Sequence, residues 1–156
     1  MSNSQRRLVF VLAVVTLSAC ASAPPQAPES RPAGTGRVEL TMTGFESEEG
    51  QAMVAFYIDG RGWPDGEEGL FASAVVPISG GTAFTTFEDV PAGRFAVSVY
   101  HDEDSDGKLD TNLVGIPSED YGFSADASGV FGPPSFEEAS LELEAGASMQ
   151  ITVRVK

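Results

Sequence analysis

The sequence predicts an all-β fold, a single seven-stranded β-sandwich carrying one long loop excursion. Three observations predict it. Apolar residues alternate with polar ones, or run briefly unbroken, in seven short segments. No stretch sustains a helical period, and Gly- and Pro-rich turns separate the segments. Seven such strands with turns of this kind are the pattern of two packed sheets.

The chain divides into residues 1–19, 20–36 and 37–156. Arg6 and Arg7 form a positive head, and Leu8 to Ala19 form an apolar run broken only by Thr16 and Ser18. That run falls short of the roughly 20 residues that cross a bilayer, and it has the length and order of a secretory signal peptide. It ends Leu17-Ser18-Ala19-Cys20, which resembles the lipobox of bacterial lipoproteins. The resemblance implies cleavage before Cys20 and attachment of diacylglycerol and palmitate to that residue. Cys20 is the single cysteine, so no internal disulfide competes for it. Ala21 after it, in place of Asp, implies an outer-membrane lipoprotein facing the periplasm or the cell surface. Residues 21–36 are rich in Pro, Ala and Gly and read as a disordered tether, reaching about 3.1 Å per residue where polyproline-like.

The sandwich is expected from Arg37 onward. Val38, Leu40 and Met42 alternate with polar neighbours, and Ala52 to Ile58 is almost wholly apolar, as a central strand would be. Leu70 to Val76 is closed by Pro77, which cannot donate to a ladder. Thr82 to Phe87 follows, Val90 to Gly93 reads as a turn, and Phe95, Val97 and Val99 alternate again. Leu141 and Leu143, then Met149, Ile151, Val153 and Val155, complete the seven.

The whole chain carries a net charge of −14. Loss of Arg6 and Arg7 with the leader leaves seven basic residues against 23 acidic ones, a net −16. Nucleic acid is excluded as a partner, because phosphate binding needs clustered basic residues. Contact with the membrane must come through the lipid anchor, and divalent cations or cationic partners suit the charge.

Between the fifth and sixth expected strands lie 38 residues, His101 to Glu138, with no clear strand or helix. Loops of that length are functional or pinned. This one holds Leu109, Leu113, Val114, Ile116, Tyr121, Phe123, Val130, Phe131 and Phe136, which are expected to bury against the sandwich. It opens His101-Asp102-Glu103-Asp104-Ser105-Asp106-Gly107-Lys108-Leu109-Asp110. Carboxylates at the first, third and fifth positions before a glycine form the front half of a calcium loop, and the Lys108 carbonyl and Asp110 continue the ring. The twelfth position is Leu113 and the flanks are strands, so the loop is not an EF-hand. Glu119 and Asp120 are the nearest carboxylates able to close it. A calcium ion held this way is expected to be weakly bound. The alternative is an acidic turn whose carboxylates cap backbone N–H groups.

Four blocks in order carry a resemblance: Val99 to Asn112, Gly115-Ile116-Pro117, Tyr121-Gly122-Phe123-Ser124, and Phe131 to Ala139. Over about Val38 to Val155 the chain resembles the bacterial family called domain of unknown function 2141. The resemblance implies an exported protein with an immunoglobulin-like or prealbumin-like fold and no established activity. It also implies a loop in which Asn often takes the place of Asp104 or Asp106.

An enzyme is not expected. His101 is the single histidine, in phase with Phe95, Val97 and Val99, and no nucleophile motif accompanies it. A strand-end histidine bonded to backbone or to an acidic neighbour is the expected role. Trp63, between Gly62 and Pro64, is expected to plug an open end of the core; the competing role is to stack on a ligand such as a sugar ring. The expected function is a binding or scaffolding module that meets an envelope protein or a glycan. The alternative is a carbohydrate-binding or hydrolytic envelope enzyme using loop carboxylates.

Overall fold

The computed structural model describes residues 34–156. The expected signal peptide, Cys20 and nearly all of the tether lie outside the described residues. The described chain is all-β and forms two sheets. Its strands are β1 (Thr35–Thr43), β2 (Gln51–Tyr57), β3 (Leu70–Val76), β4 (Thr82–Pro91), β5 (Gly93–Asp102), β6 (Tyr121–Phe123), β7 (Leu141–Leu143) and β8 (Ser148–Arg154). One sheet has the order β4-β1-β8, with β1 antiparallel to β4 and parallel to β8. The other runs β3-β2-β5-β6, and β7 pairs with the start of β5.

Period two explains the packing. In β1 every second residue from Gly36 is buried, and Val38, Leu40 and Met42 are wholly inaccessible. They meet Val54 and Phe56 of β2 and Phe95, Val97 and Val99 of β5 in the inter-sheet core. Phe56 stacks on Phe95 at a centroid distance of 4.9 Å and packs against Phe87 at 4.8 Å. A smaller cluster covers the outer face of the five-stranded sheet. There Tyr57, Ala96, Phe123, Phe136 and Ala139 are buried, with Trp63 half-buried among them.

Several expectations need correction. The described residues form eight strands, because the excursion contributes β6; its Tyr-Gly-Phe is too short to show a period. β1 opens at Thr35, inside the segment expected as tether, and pairing with β4 and β8 holds it. The turn expected at 90–93 narrows to Ala92, since β4 runs through Pro91 and β5 starts at Gly93. The excursion also contains a 3₁₀ turn at Ser124–Asp126 and a single helical turn, α1 (Phe136–Ala139). A capping box builds α1: Ser135 Oγ accepts the Glu138 N–H, and the Glu138 carboxylate accepts the Ser135 N–H at 2.8 Å. Of the nine apolar residues expected to bury, only Phe123 and Phe136 are buried. Leu113, Val114, Ile116, Val130 and Phe131 are exposed, the first and last completely. They lie on loop segments that project from the sheet, where no second layer covers them.

The excursion is nonetheless fastened. Ser124, 1% exposed, accepts the Val97 N–H at 2.8 Å and donates its hydroxyl to the Ala139 carbonyl at 2.6 Å. Gly122 lies so close to the end of β8 that an added Cβ would sit 2.2 Å from the Arg154 carbonyl oxygen. The chain thus returns along β5 from its Asp102 end to its Gly93 end, pairing on the way as β6 and β7.

Candidate cation site and the loops around it

β5 places the acidic loop. Its residues alternate between the inter-sheet core and the outer face, so His101 and Asp102 point to opposite sides. His101 is fully buried, edge-on to Phe45 with ring centroids 5.3 Å apart. Its Nε2–H donates to the Glu49 carbonyl at 2.8 Å, while Nδ1 has no hydrogen-bond partner among the described residues and lies 3.7 Å from Glu103 Oε1. The His101 ring is thus bonded to the backbone of the β1–β2 turn and does not face the acidic cluster.

Asp102 is also fully buried. A buried carboxylate is costly unless donors surround it, and three do. Oδ1 accepts the Asp106 N–H at 3.0 Å; Oδ2 accepts the Gly107 N–H at 3.1 Å and the Gln51 amide at 2.7 Å. The loop therefore wraps around its own first carboxylate. Ser105 (φ 62°) and Gly107 (φ 80°) take left-handed conformations to make the bend. Asp104 Oδ1 accepts the Asp106 N–H at 3.1 Å, and Asp106 Oδ1 accepts the Lys108 N–H at 2.8 Å. These bonds bring carboxylate oxygens of Asp102, Asp104 and Asp106 within 4.8 Å of one another. Gly50, in the β1–β2 turn, lies against the loop entrance; an added Cβ would sit 2.0 Å from the Asp102 carbonyl oxygen.

The other expected carboxylate ligands, Asp110, Glu119 and Asp120, are not part of this cluster. Glu119 is buried, and each of its oxygens accepts a backbone N–H, that of Glu103 at 2.9 Å and that of Asp110 at 2.8 Å. Asp110 is exposed, and its carbonyl accepts the Ser118 N–H. Asp120 contributes its backbone carbonyl to His101 N. Lys108 is exposed, its ammonium 3.5 Å from Asp106 Oδ2. Burial first, then the charges of Asp102, Glu119 and Asp106, raises the Tyr100 phenol above its ordinary pKa of 10.0.

The donor set suits a hard divalent cation. It offers carboxylates at three alternate positions, and oxygens that accept a hydrogen bond keep a second lone pair. The sequence of a bacterial family described as "Uncharacterized protein conserved in bacteria (DUF2141)" matches residues 40–152. The chain belongs to this family. No curated protein and no solved structure matches it significantly. The matched span of the DUF2141 domain runs from within β1 to within β8 and includes the whole acidic excursion.

Trp63 joins the outer-face cluster. Its ring meets Tyr57, Phe123 and Phe136 at centroid distances of 5.3, 5.6 and 6.0 Å, and its indole N–H donates to the Pro134 carbonyl at 2.8 Å. The rings and bond hold the 60–69 loop to the end of the excursion. The signal that sequence reasoning missed was Gln51, whose amide completes the shell of Asp102 and which only strand register reveals.

Proposed function

We propose that this DUF2141 domain is a lipid-tethered envelope binding module whose 102–110 loop is pinned by calcium. The observation that carries the reading is the Asp102 arrangement. A buried carboxylate organises the loop, and two more carboxylates stand within 4.8 Å of it, with Lys108 the one cation paired to them among the described residues. Like charges at that spacing repel unless a cation intervenes. Asp102, Asp104, Asp106 and the Lys108 carbonyl would hold the ion, with water completing its shell. Glu119 clamps the loop's backbone, so no bidentate twelfth ligand is supplied, and affinity falls to the order of 10⁻⁴–10⁻³ M.

Topology supports presentation away from the membrane. Thr35 pairs with Pro91, beside the start of β5, whereas the acidic loop leaves β5 at Asp102. The ten residues of β5 separate the two ends by about 30 Å. A tether from Cys20 would therefore enter at one end and leave the loops free at the other. The proposal gives no residue a catalytic role.

Melting temperature read with calcium and with chelator tests the cation. Millimolar calcium is expected to raise it, and Asp104→Ala with Asp106→Ala is expected to abolish the rise. A melting curve indifferent to both additions, with no calcium heat in calorimetry, leaves the acidic-turn alternative. Labelling with a palmitate analogue in a Gram-negative host tests the tether. The wild type should label and sediment with membranes, and Cys20→Ser should do neither.

A further inference from the structure

The excursion leaves an open cleft of about 600 Å³ on the outer face of the five-stranded sheet. Ser98, Tyr100, Tyr121 and Phe123 line it along the sheet. One wall is the far side of the acidic loop, through Leu109, Thr111 and Pro117; the other is Gly132 and Pro133. Each wall adjoins a projecting apolar tip. Leu113 and Val114 are 107% and 78% exposed beside the first, and Val130 and Phe131 are 87% and 102% exposed beside the second. The first tip is built rather than slack. Asn112 Oδ1 accepts the N–H groups of Val114 and Ile116 at 3.0 and 3.1 Å, and Thr111 bridges to Pro117. A shaped turn that holds bulky aliphatic side chains in water marks a contact surface.

Charge selects the occupant. Asp65 lines the cleft, Asp110 stands exposed on the loop that forms its wall, and Asp102, Asp104 and Asp106 together keep a net negative charge even when they share one divalent cation. Lys108 is the one basic residue lining the cleft, and it already faces Asp106. An anionic bilayer would be repelled by this rim, and so would a second copy carrying the same net −14. We propose that the cleft and its two tips dock an extended, basic amphipathic peptide segment of a partner protein. Its aliphatic or aromatic side chains would enter between Leu113 and Phe131, and its Lys or Arg residues would face the carboxylate rim. This rests on the reading of the domain as a binding module and names the partner's chemistry.

The test titrates the full chain, purified from a Gram-negative host and held in phosphatidylcholine nanodiscs with calcium. Three fluorescent peptides of equal length serve as probes: alternating Leu/Lys, alternating Leu/Glu and alternating Ser/Lys. Only the Leu/Lys peptide should bind, more weakly as salt rises. Leu113→Ser with Phe131→Ser should weaken it about tenfold or more, the loss expected for one buried apolar anchor. Both positions are fully exposed, so folding should be unaffected. Asp65→Lys should weaken the same peptide and not create binding of Leu/Glu. Equal binding of Leu/Lys and Ser/Lys, or binding indifferent to the tip substitutions, overturns the proposal. So does a result in which the tip substitutions abolish only self-association, or only attachment of the Cys20→Ser chain to phosphatidylcholine vesicles. A chain whose melting responds to calcium while it ignores all three peptides overturns the partner and leaves the cation loop standing.

Discussion

The carboxylate of Glu119 accepts the backbone N–H of Asp110 at 2.8 Å, and its second oxygen accepts that of Glu103 at 2.9 Å. One side chain therefore ties the two ends of the acidic loop together. Glu119→Gln retains one acceptor and turns an amide toward the other N–H. A loss of about 1–3 kcal/mol is expected from the group left unsatisfied. Urea denaturation measures it, and an unchanged midpoint would remove Glu119 from this role.

Asp102 and Asp104 should separate when mutated. Asp102 is buried with three donors, so Asp102→Ala should destabilise even in chelator, by about 3 kcal/mol for a buried charged hydrogen-bonded group. Asp104 is exposed and accepts one loop N–H. Asp104→Asn should leave stability in chelator nearly unchanged and reduce only the calcium response. Paired denaturation curves decide, and equal losses in chelator would contradict the assignment.

Ser124 carries the fastening between the excursion and β5. Ser124→Ala strands the buried Val97 N–H and Ala139 carbonyl together, and about 2 kcal/mol or more should be lost. Amide exchange at Val97 should accelerate in the variant. Protection equal to wild type would show that another group takes its place.

Two phenols set an alkaline limit. Burial first, then Asp65, raises Tyr57 above 10.0; burial first, then Asp102, raises Tyr100. The folded state keeps these protons to higher pH than the unfolded chain does. Stability should therefore be whole below pH 10 and fall as pH rises beyond it. Tyr100→Phe should flatten part of the fall. A stability curve rising through that range would contradict the sign.

The strands were legible because one face of each is buried, which writes period two into the residues. β6 escaped because Tyr121-Gly122-Phe123 is shorter than any period, yet pairing with β5 holds it. The single turn of α1 is too short to show 3.6-residue spacing, although Ser135 and Glu138 at capping-box spacing were in plain view. Asp102, Asp104 and Asp106 could be grouped from spacing alone, since a tight loop aims alternate side chains inward. The role of Glu119 could not, because backbone N–H groups have no signature in sequence. Reading Leu113 and Phe131 as core failed for another reason: apolarity states a preference for burial and does not say which molecule provides it.

β1 lies between β4 and β8, antiparallel to one and parallel to the other. The first described strand is therefore the middle of a sheet whose third member is the last described strand. Without β8, β1 has one unsatisfied edge, and Val38, Leu40 and Met42 lack Val153 beside them in the core. Closing that parallel pair joins residues more than a hundred positions apart, a contact that is slow to form. A chain stopped short of Ser148 would present an open strand edge to its neighbours, the condition under which strands of different molecules pair. The integrity of the first strand's sheet thus depends on a strand over a hundred residues away, and a chain lacking β8 should be more prone to aggregate than one that carries it.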